Sequence, residues 1–314
     1  MKVRRAGFCL LFLGLAMPAL SSSKFTPPPG KVILFVGQDQ TEIAAYMKSV
    51  SVHPAGFMAY TSLNLEGLET PYDEGGGLQN AQSLMDDYPP AVLQIGLYLV
   101  DSLPEIVNGN DNEPIDRLAR WMKAARRPIF LRIGYEFDLP GNRYDPKLYV
   151  SSFRHIVDRF RRDGVNNVAF VWHSCAQSDA THIMDWYPGD DYVDWVGLSY
   201  FGQFPKFVNQ VAEVAHKLNK PLMLAETSPW YRKSPEQKKL WFKRLFEFID
   251  TRGVSALCYI NCDWDALEAY RSQGFGNTRV QQSPELQRLW TDEISRDTYL
   301  KSSKDVYDQV GFKP

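Results

Sequence analysis

Eight short apolar runs, set apart by longer amphipathic segments, govern what this chain can fold into. They read as strands over Val32–Val36, Gly56–Tyr60, Val92–Leu97, Ile129–Gly134, Val168–Trp172, Trp195–Tyr200, Leu222–Ala225 and Ala256–Ile260. Most are apolar throughout rather than alternating, as parallel strands covered on both faces are. Helix signals fill the intervals. Asp145-Pro146 is an N-cap followed by proline in the first turn. Tyr149, Phe153, Ile156, Val157 and Phe160 then share one helix face, and Gly164 closes it. Ser234-Pro235 and Ser283-Pro284 repeat that start, and further apolar faces run from Ile115 to Met122 and from Val208 to Leu218. Eight strand–helix units in about 280 residues is the count of an α/β chain closed into a single-domain (β/α)8 TIM barrel. An open doubly wound sheet is the rival. It usually carries a glycine-rich phosphate turn after its first strand, and Gly37-Gln38-Asp39-Gln40 is no such turn.

The first 23 residues are expected to lie outside the barrel. Lys2, Arg4 and Arg5 precede the apolar stretch Ala6–Leu20, and small residues follow, the pattern of a secretory signal peptide. The stretch is shorter than the ~20 residues a membrane span needs. Residues 24–30 read as a Ser/Pro linker, and 31–314 as one barrel domain. Export to periplasm or medium is the expectation. The formal net charge of -2 becomes more acidic once the cationic leader is gone, so electrostatics favour neither nucleic acid nor an anionic membrane as partner. Cys175, Cys258 and Cys262 would remain, an odd number that reads as core thiols rather than a disulfide framework. A monomer is expected.

In such a barrel the chemistry sits at the C-terminal ends of the strands. Two carboxylates stand at those ends, Glu136 in "LRIGYEF" and Glu226 in "LMLAETSPW". The fourth and seventh strands face each other across the mouth, so the two side chains could approach to ~5 Å, the separation of the carboxyl pair in a retaining glycosidase. Aromatic residues make up 13% of the chain, and Tyr135, Trp172, Tyr200, Trp230 and Trp264 fall at or near strand ends, where rings could bind the apolar faces of sugars. Arg132 is expected to point into the barrel, either supporting the site or pairing with Glu136. His173 could line the cleft or be a satisfied polar residue. Asp138 reads as a hydrogen-bond partner of the site or a turn residue, and Gln38 and Asp39 as lesser cleft candidates. His173, Asp179, His182 and Asp185 follow no metal-ligand spacing, and no metal or other cofactor is expected.

"RPIFLRIGYEFD", "NNVAFVWHS", "WYPGDDYVDWVGLSYF" and "KPLMLAETSP" occur in that order at barrel spacing, and together the chain resembles glycoside hydrolase family 26 over roughly residues 31 to 270. The resemblance implies a retaining endo-β-glycanase acting on a polysaccharide or oligosaccharide: a β-mannanase first, with β-1,3-xylanases and β-glucanases as alternatives. By match to the family's motifs it implies Glu136 as acid/base, Glu226 as nucleophile and Tyr200 as the hydroxyl contacting the nucleophile. Arg132, Tyr135, Trp172, His173, Trp230 and Trp264 are the further substrate-site candidates. Many of the family's mannanases carry histidine just before the acid/base glutamate, where this chain has Tyr135, so the sugar is left open. A barrel that binds carbohydrate without cutting it is the reading from another class.

Overall fold

The structure is a computed structural model that describes residues 23–313. All but the last residue of the expected signal peptide lies outside the described residues. Eight parallel strands form the sheet: β1 (Val32–Gly37), β2 (Gly56–Thr61), β3 (Val92–Leu97), β4 (Ile129–Ile133), β5 (Val168–Ser174), β6 (Trp195–Tyr200), β7 (Leu222–Thr227) and β8 (Val254–Ile260). Each pairs with the next, and β1 pairs with both β8 and β2, which closes the barrel. A two-residue strand, β9 (Tyr299–Leu300), adds to the start of β1.

The longer helices are α1 (Gln40–Ser49), α2 (Ala81–Asp87), α3 (Leu103–Val107), α4 (Asn112–Ala124), α5 (Pro146–Arg162), α6 (Pro205–Lys217), α7 (Pro235–Arg252) and α8 (Pro284–Ile294). The expected starts hold. Asp145 and Ser283 cap α5 and α8 through their side chains, and Ser234 forms a reciprocal capping box with Gln237 at α7. The cysteines Cys175, Cys258 and Cys262 are buried and unbridged. Among the described residues no helix is long and apolar enough to cross a membrane.

Side-chain parity splits the core into two layers. Phe35, Met58, Phe130, Val171, Trp195, Met223 and Cys258 fill the barrel. Leu34, Phe57, Leu131, Phe170, Val196, Leu224 and Leu257 point outward and pack with the helices. Successive residues of a strand face opposite sides, so position along the strand decides which side chains can reach the mouth. One place breaks the alternation. Leu198 of β6 pairs with Leu224 of β7, but the next residue, Ser199, pairs with Glu226. Ala225 is left over, and the ladder to β8 is irregular at the same point. This β-bulge lets Ala225 and Glu226 both face the interior, and re-aiming a side chain beside a site is a recurrent use of bulges. The Ala225 carbonyl is taken up from across the barrel by Gln94 Nε2 of β3, at 3.0 Å.

The barrel floor corrects the linker expectation for residues 24–30. Lys24 Nζ donates to the Val168 carbonyl at 2.9 Å, and Trp195 Nε1 donates to the Lys24 carbonyl at 2.7 Å. Phe25 is buried edge-on against Phe130 and Phe312. A Ser/Pro-rich composition suggested extended chain, but one buried aromatic ring is enough to dock it.

Candidate active site

The mouth of the barrel holds a cleft of about 650 Å3, and Glu136 and Glu226 both line it, with Tyr60, Tyr98, Tyr135, Trp230, Tyr231 and Trp264 among the surrounding side chains. Glu136 follows the C-terminal end of β4, as expected, and stands in the turn beyond it. Gly134 and Glu136 both have positive φ, 54° and 52°. Glycine takes that conformation freely; glutamate does not, and a held outlier of this kind marks a site whose surroundings over-determine it. A Cβ on Gly134 would also meet the Tyr149 ring at 2.9 Å. The turn is pinned on both sides. Phe137 N donates to the His173 carbonyl at 3.1 Å, and Asn142 Nδ2 donates to the Glu136 carbonyl at 3.0 Å. Asp138 accepts from Ser174 Oγ at 2.6 Å and from the Cys175 amide at 2.7 Å, tying the turn to the end of β5. Asp138 is thus both a turn residue and a hydrogen-bond partner.

The Glu136 carboxyl opens on the cleft, and its Oε1 accepts from Ser199 Oγ at 2.6 Å. Burial, then the neighbouring charge of Glu226, push its pKa up to about 8; the Ser199 hydrogen bond and Arg132 act the other way. Glu226 is buried on β7 and paired with Arg132, whose Nη1 donates to Glu226 Oε1. Arg132 therefore partners Glu226 rather than Glu136. Its guanidinium is fully buried between the rings of Tyr60 and Tyr135, 4.8 and 5.1 Å from their centroids. Burial works against its charge, but Tyr60 and Glu226 more than offset that. The absence of a side chain at Gly96 makes the space: a Cβ there would lie 2.7 Å from both Arg132 Nη2 and the Tyr60 ring.

Behind this wall lies His173. Its Nδ1 faces Arg132 Nη1 at 3.2 Å and its Nε2 faces Ser199 Oγ at 3.0 Å. It is fully buried, and burial and Arg132 hold its pKa well below the usual range. The structure therefore places His173 and Arg132 beneath the cleft surface rather than on it. Trp172, one residue earlier, points outward, stacks on Phe137 at 4.5 Å and donates to the Trp186 carbonyl. Tyr200 also points outward, against Trp241 and Phe248 of α7, so its hydroxyl is not at Glu226. Ser199 takes the inward position, and alternation turns Tyr200 away.

The tryptophans that do border the cleft are not open platforms. Trp230 is sandwiched between Phe201 and Phe275, whose rings lie nearly parallel to it with centroids 3.5 and 4.0 Å away. Trp264 is only 2% exposed, edge-on to Trp230, with its Nε1 on Thr278 Oγ1. Open rings come from tyrosines instead: Tyr98, 47% exposed after β3, and Tyr231, 57% exposed after β7 and held at φ 61°. Gln38 lines the cleft and donates to the Gly76 carbonyl. Asp39 is structural, capping α1 and accepting from the Leu78 amide. Asp179 pairs with Lys206, and His182 and Asp185 are exposed beside each other, away from buried His173.

A chain-wide relative decides the family. The β-1,3-xylanase TXYA of a Vibrio species is 32% identical over 92% of this chain and 70% of its own length. The family model for Glycosyl hydrolase family 26 matches residues 96–230, which span both carboxylates. The chain belongs to glycoside hydrolase family 26. A β-1,3-xylanase of an Alcaligenes species is 30% identical to this hydrolase, over 92% of the chain and 68% of the relative. Among solved structures, a family 26 β-mannanase from Bacteroides ovatus superposes with a TM-score of 0.64 at 16% identity, covering 88% of the hydrolase and 93% of that chain. An endo-β-1,4-mannanase from Cellulomonas fimi gives 0.64 at 18% identity, over 89% and 74%. These superpositions confirm the TIM-barrel fold. The family 26 hydrolase is an enzyme that cleaves glycosidic bonds of a polysaccharide substrate.

Proposed function

We propose that the enzyme is an exported, retaining endo-β-1,3-xylanase, with Glu226 as nucleophile and Glu136 as acid/base. The observation that carries the sugar is the identity of 30–32% with two β-1,3-xylanases along nearly the whole chain. The mannanase structures share the barrel at 12–18% identity, which speaks to fold and not to substrate. The expectation of mannan thus gives way to its xylan alternative. Tyr135 before the acid/base candidate agrees with that shift.

The carboxyl pair supports the mechanism. Ser199, which holds Glu136, lies opposite Glu226 in the β6–β7 ladder, and the charge of Glu226 raises the pKa of Glu136, so the two acids are neighbours in one cleft. Retention needs neighbouring carboxyls about 5–5.5 Å apart, while inversion needs room for a water between the two. Glu136, protonated at neutral pH, gives its proton to the departing glycosidic oxygen as Glu226 attacks the anomeric carbon. Esterification of Glu226 removes its negative charge. The Coulombic push on Glu136 then falls, and Glu136 becomes the better base for the water that releases the sugar. Arg132 balances Glu226 before attack. The Ala6–Leu20 apolar stretch behind a cationic start supports export.

The test is hydrolysis of β-1,3-xylan, β-1,4-mannan, glucomannan and mixed-linkage glucan, with product size and anomeric configuration followed by NMR. Oligomeric β-anomers from β-1,3-xylan are expected. Faster cleavage of mannan, or α-anomers as first products, would refute the substrate or the mechanism respectively. Binding without release of reducing ends would favour the non-catalytic reading.

A further inference from the structure

We propose that His173 and Ser199 are positioning residues that fix which oxygen of Glu136 carries the catalytic proton. The inference rests on Glu136 being the acid/base. It follows from the direction of three consecutive hydrogen bonds. Arg132 Nη1 can only donate, so His173 Nδ1, 3.2 Å away, must accept. The imidazole proton is thereby placed on Nε2, which donates to Ser199 Oγ at 3.0 Å. The serine hydrogen is then directed to its remaining partner, Glu136 Oε1, at 2.6 Å. Oε1 is an acceptor in both protonation states of Glu136. The acid proton therefore sits on Oε2, the oxygen left for the cleft, and returns there when Glu136 takes a proton from water.

A protonated His173 would break the chain, since an Nδ1 hydrogen would oppose the guanidinium. Complete burial and the adjacent cation keep the ring neutral. The other groups around Glu136 do not replace this function. Glu226 from β7 and Asp138 from its own turn are acids that raise its pKa, and Arg132 from β4 spends Nη1 on Glu226 and His173. Cys175 beyond β5 is a thiol held protonated by burial. Tyr270, from the segment after β8, feels the charge of Glu136 from across the cleft, and Tyr135 precedes it on the turn. Ser199 is the side chain that donates to Glu136. His173 supports it without touching the cleft, which its absence from the lining reflects.

The test compares wild type with S199A and S199T on two substrates: the polysaccharide, whose leaving group needs a proton, and an aryl glycoside whose phenolate leaves without one. S199A should lower kcat/KM on the polysaccharide by roughly 10–100-fold, and on the aryl glycoside by less than about threefold. Loss of the donor should move the alkaline limb of the kcat/KM profile up by roughly 0.5–1 pH unit. S199T, which keeps the hydroxyl, should restore both. Equal losses on the two substrates, an unmoved alkaline limb, or a threonine variant as impaired as the alanine one would overturn the proposal. E136A is the control for the underlying reading. If E136A still turns over the polysaccharide, the acid/base assignment fails; if E136A is inactive while S199A matches wild type, only the positioning role fails.

Discussion

Arg132 of β4 donates to Glu226 of β7 inside the barrel, 94 residues apart in sequence, with the cation sealed from solvent. A buried ion pair is weak evidence for net stability, yet removing one member is costly because the other is left uncompensated. R132A should therefore destabilise the enzyme by about 3–5 kcal/mol. It should also reduce kcat more than KM, because Glu226 loses its donor and His173 its orienting cation. Urea unfolding monitored by tryptophan fluorescence checks the first, steady-state kinetics the second.

Gln94 offers a separate test of the bulge. Its amide reaches the Ala225 carbonyl, next to Glu226, without lining the cleft. Q94L should cost about 1–3 kcal/mol through an unsatisfied buried carbonyl. If the bulge aims Glu226, kcat should fall at least tenfold with little change in KM. Unaltered kcat in a folded Q94L protein would show that the bulge holds without its cross-barrel support.

The raised pKa of Glu136 has a sign that stability measurements can read. A carboxyl with a folded pKa near 8 and an unfolded one near 4.5 binds more proton in the folded state between those values. Stability from this group is thus full below about pH 4.5 and is lost as pH rises towards 8. E136Q should flatten that slope, gaining on the order of 1–2 kcal/mol over wild type at pH 8, while polysaccharide hydrolysis drops by about 10^2–10^4-fold. Denaturant midpoints across pH 5 to 8 are the measurement. A parallel offset at every pH would contradict the assignment of the shift to Glu136.

The aromatic residues divide into two kinds. Y98A and Y231A remove open rings and should raise KM for xylo-oligosaccharides by roughly 3–10-fold, with the fold unaffected. W230A empties the Phe201–Trp230–Phe275 sandwich and should cost about 2–4 kcal/mol of stability besides any effect on binding. Isothermal titration with an E136Q background and thermal unfolding separate the two.

The barrel was legible because strands buried on both faces read as unbroken apolar runs, and all eight appear with ends shifted by at most two residues. That same lack of alternation hid the parity. Nothing in "VDWVGLSYF" says whether Ser199 or Tyr200 faces the mouth, and the inward choice of Ser199 turns Tyr200 onto α7. Glu226 was found by its place after an apolar strand, though regular alternation from Met223 and Ala225 would have pointed it outward; the bulge responsible leaves no mark in "LMLAETS". His173 was marked as polar but not as buried, since the partners that satisfy it come from β4 and β6. The tyrosines Tyr98 and Tyr231 carry a weak signal in the sequence, being large rings just past strand ends; only their exposure, beside the buried Trp264 and the sandwiched Trp230, sets them apart.

The docking of Phe25 onto Phe130 and Phe312 brings residues from both extremities of the described chain together on the barrel floor, with Phe25 and Phe312 5.7 Å apart. That floor is the face opposite the cleft. An affinity tag, a tether to a surface or a fused module joined at either extremity would hang from the closed end of the barrel. The mouth would stay clear for a polymer to lie across it, so attachment beside Phe25 or Phe312 leaves the groove it cuts in open.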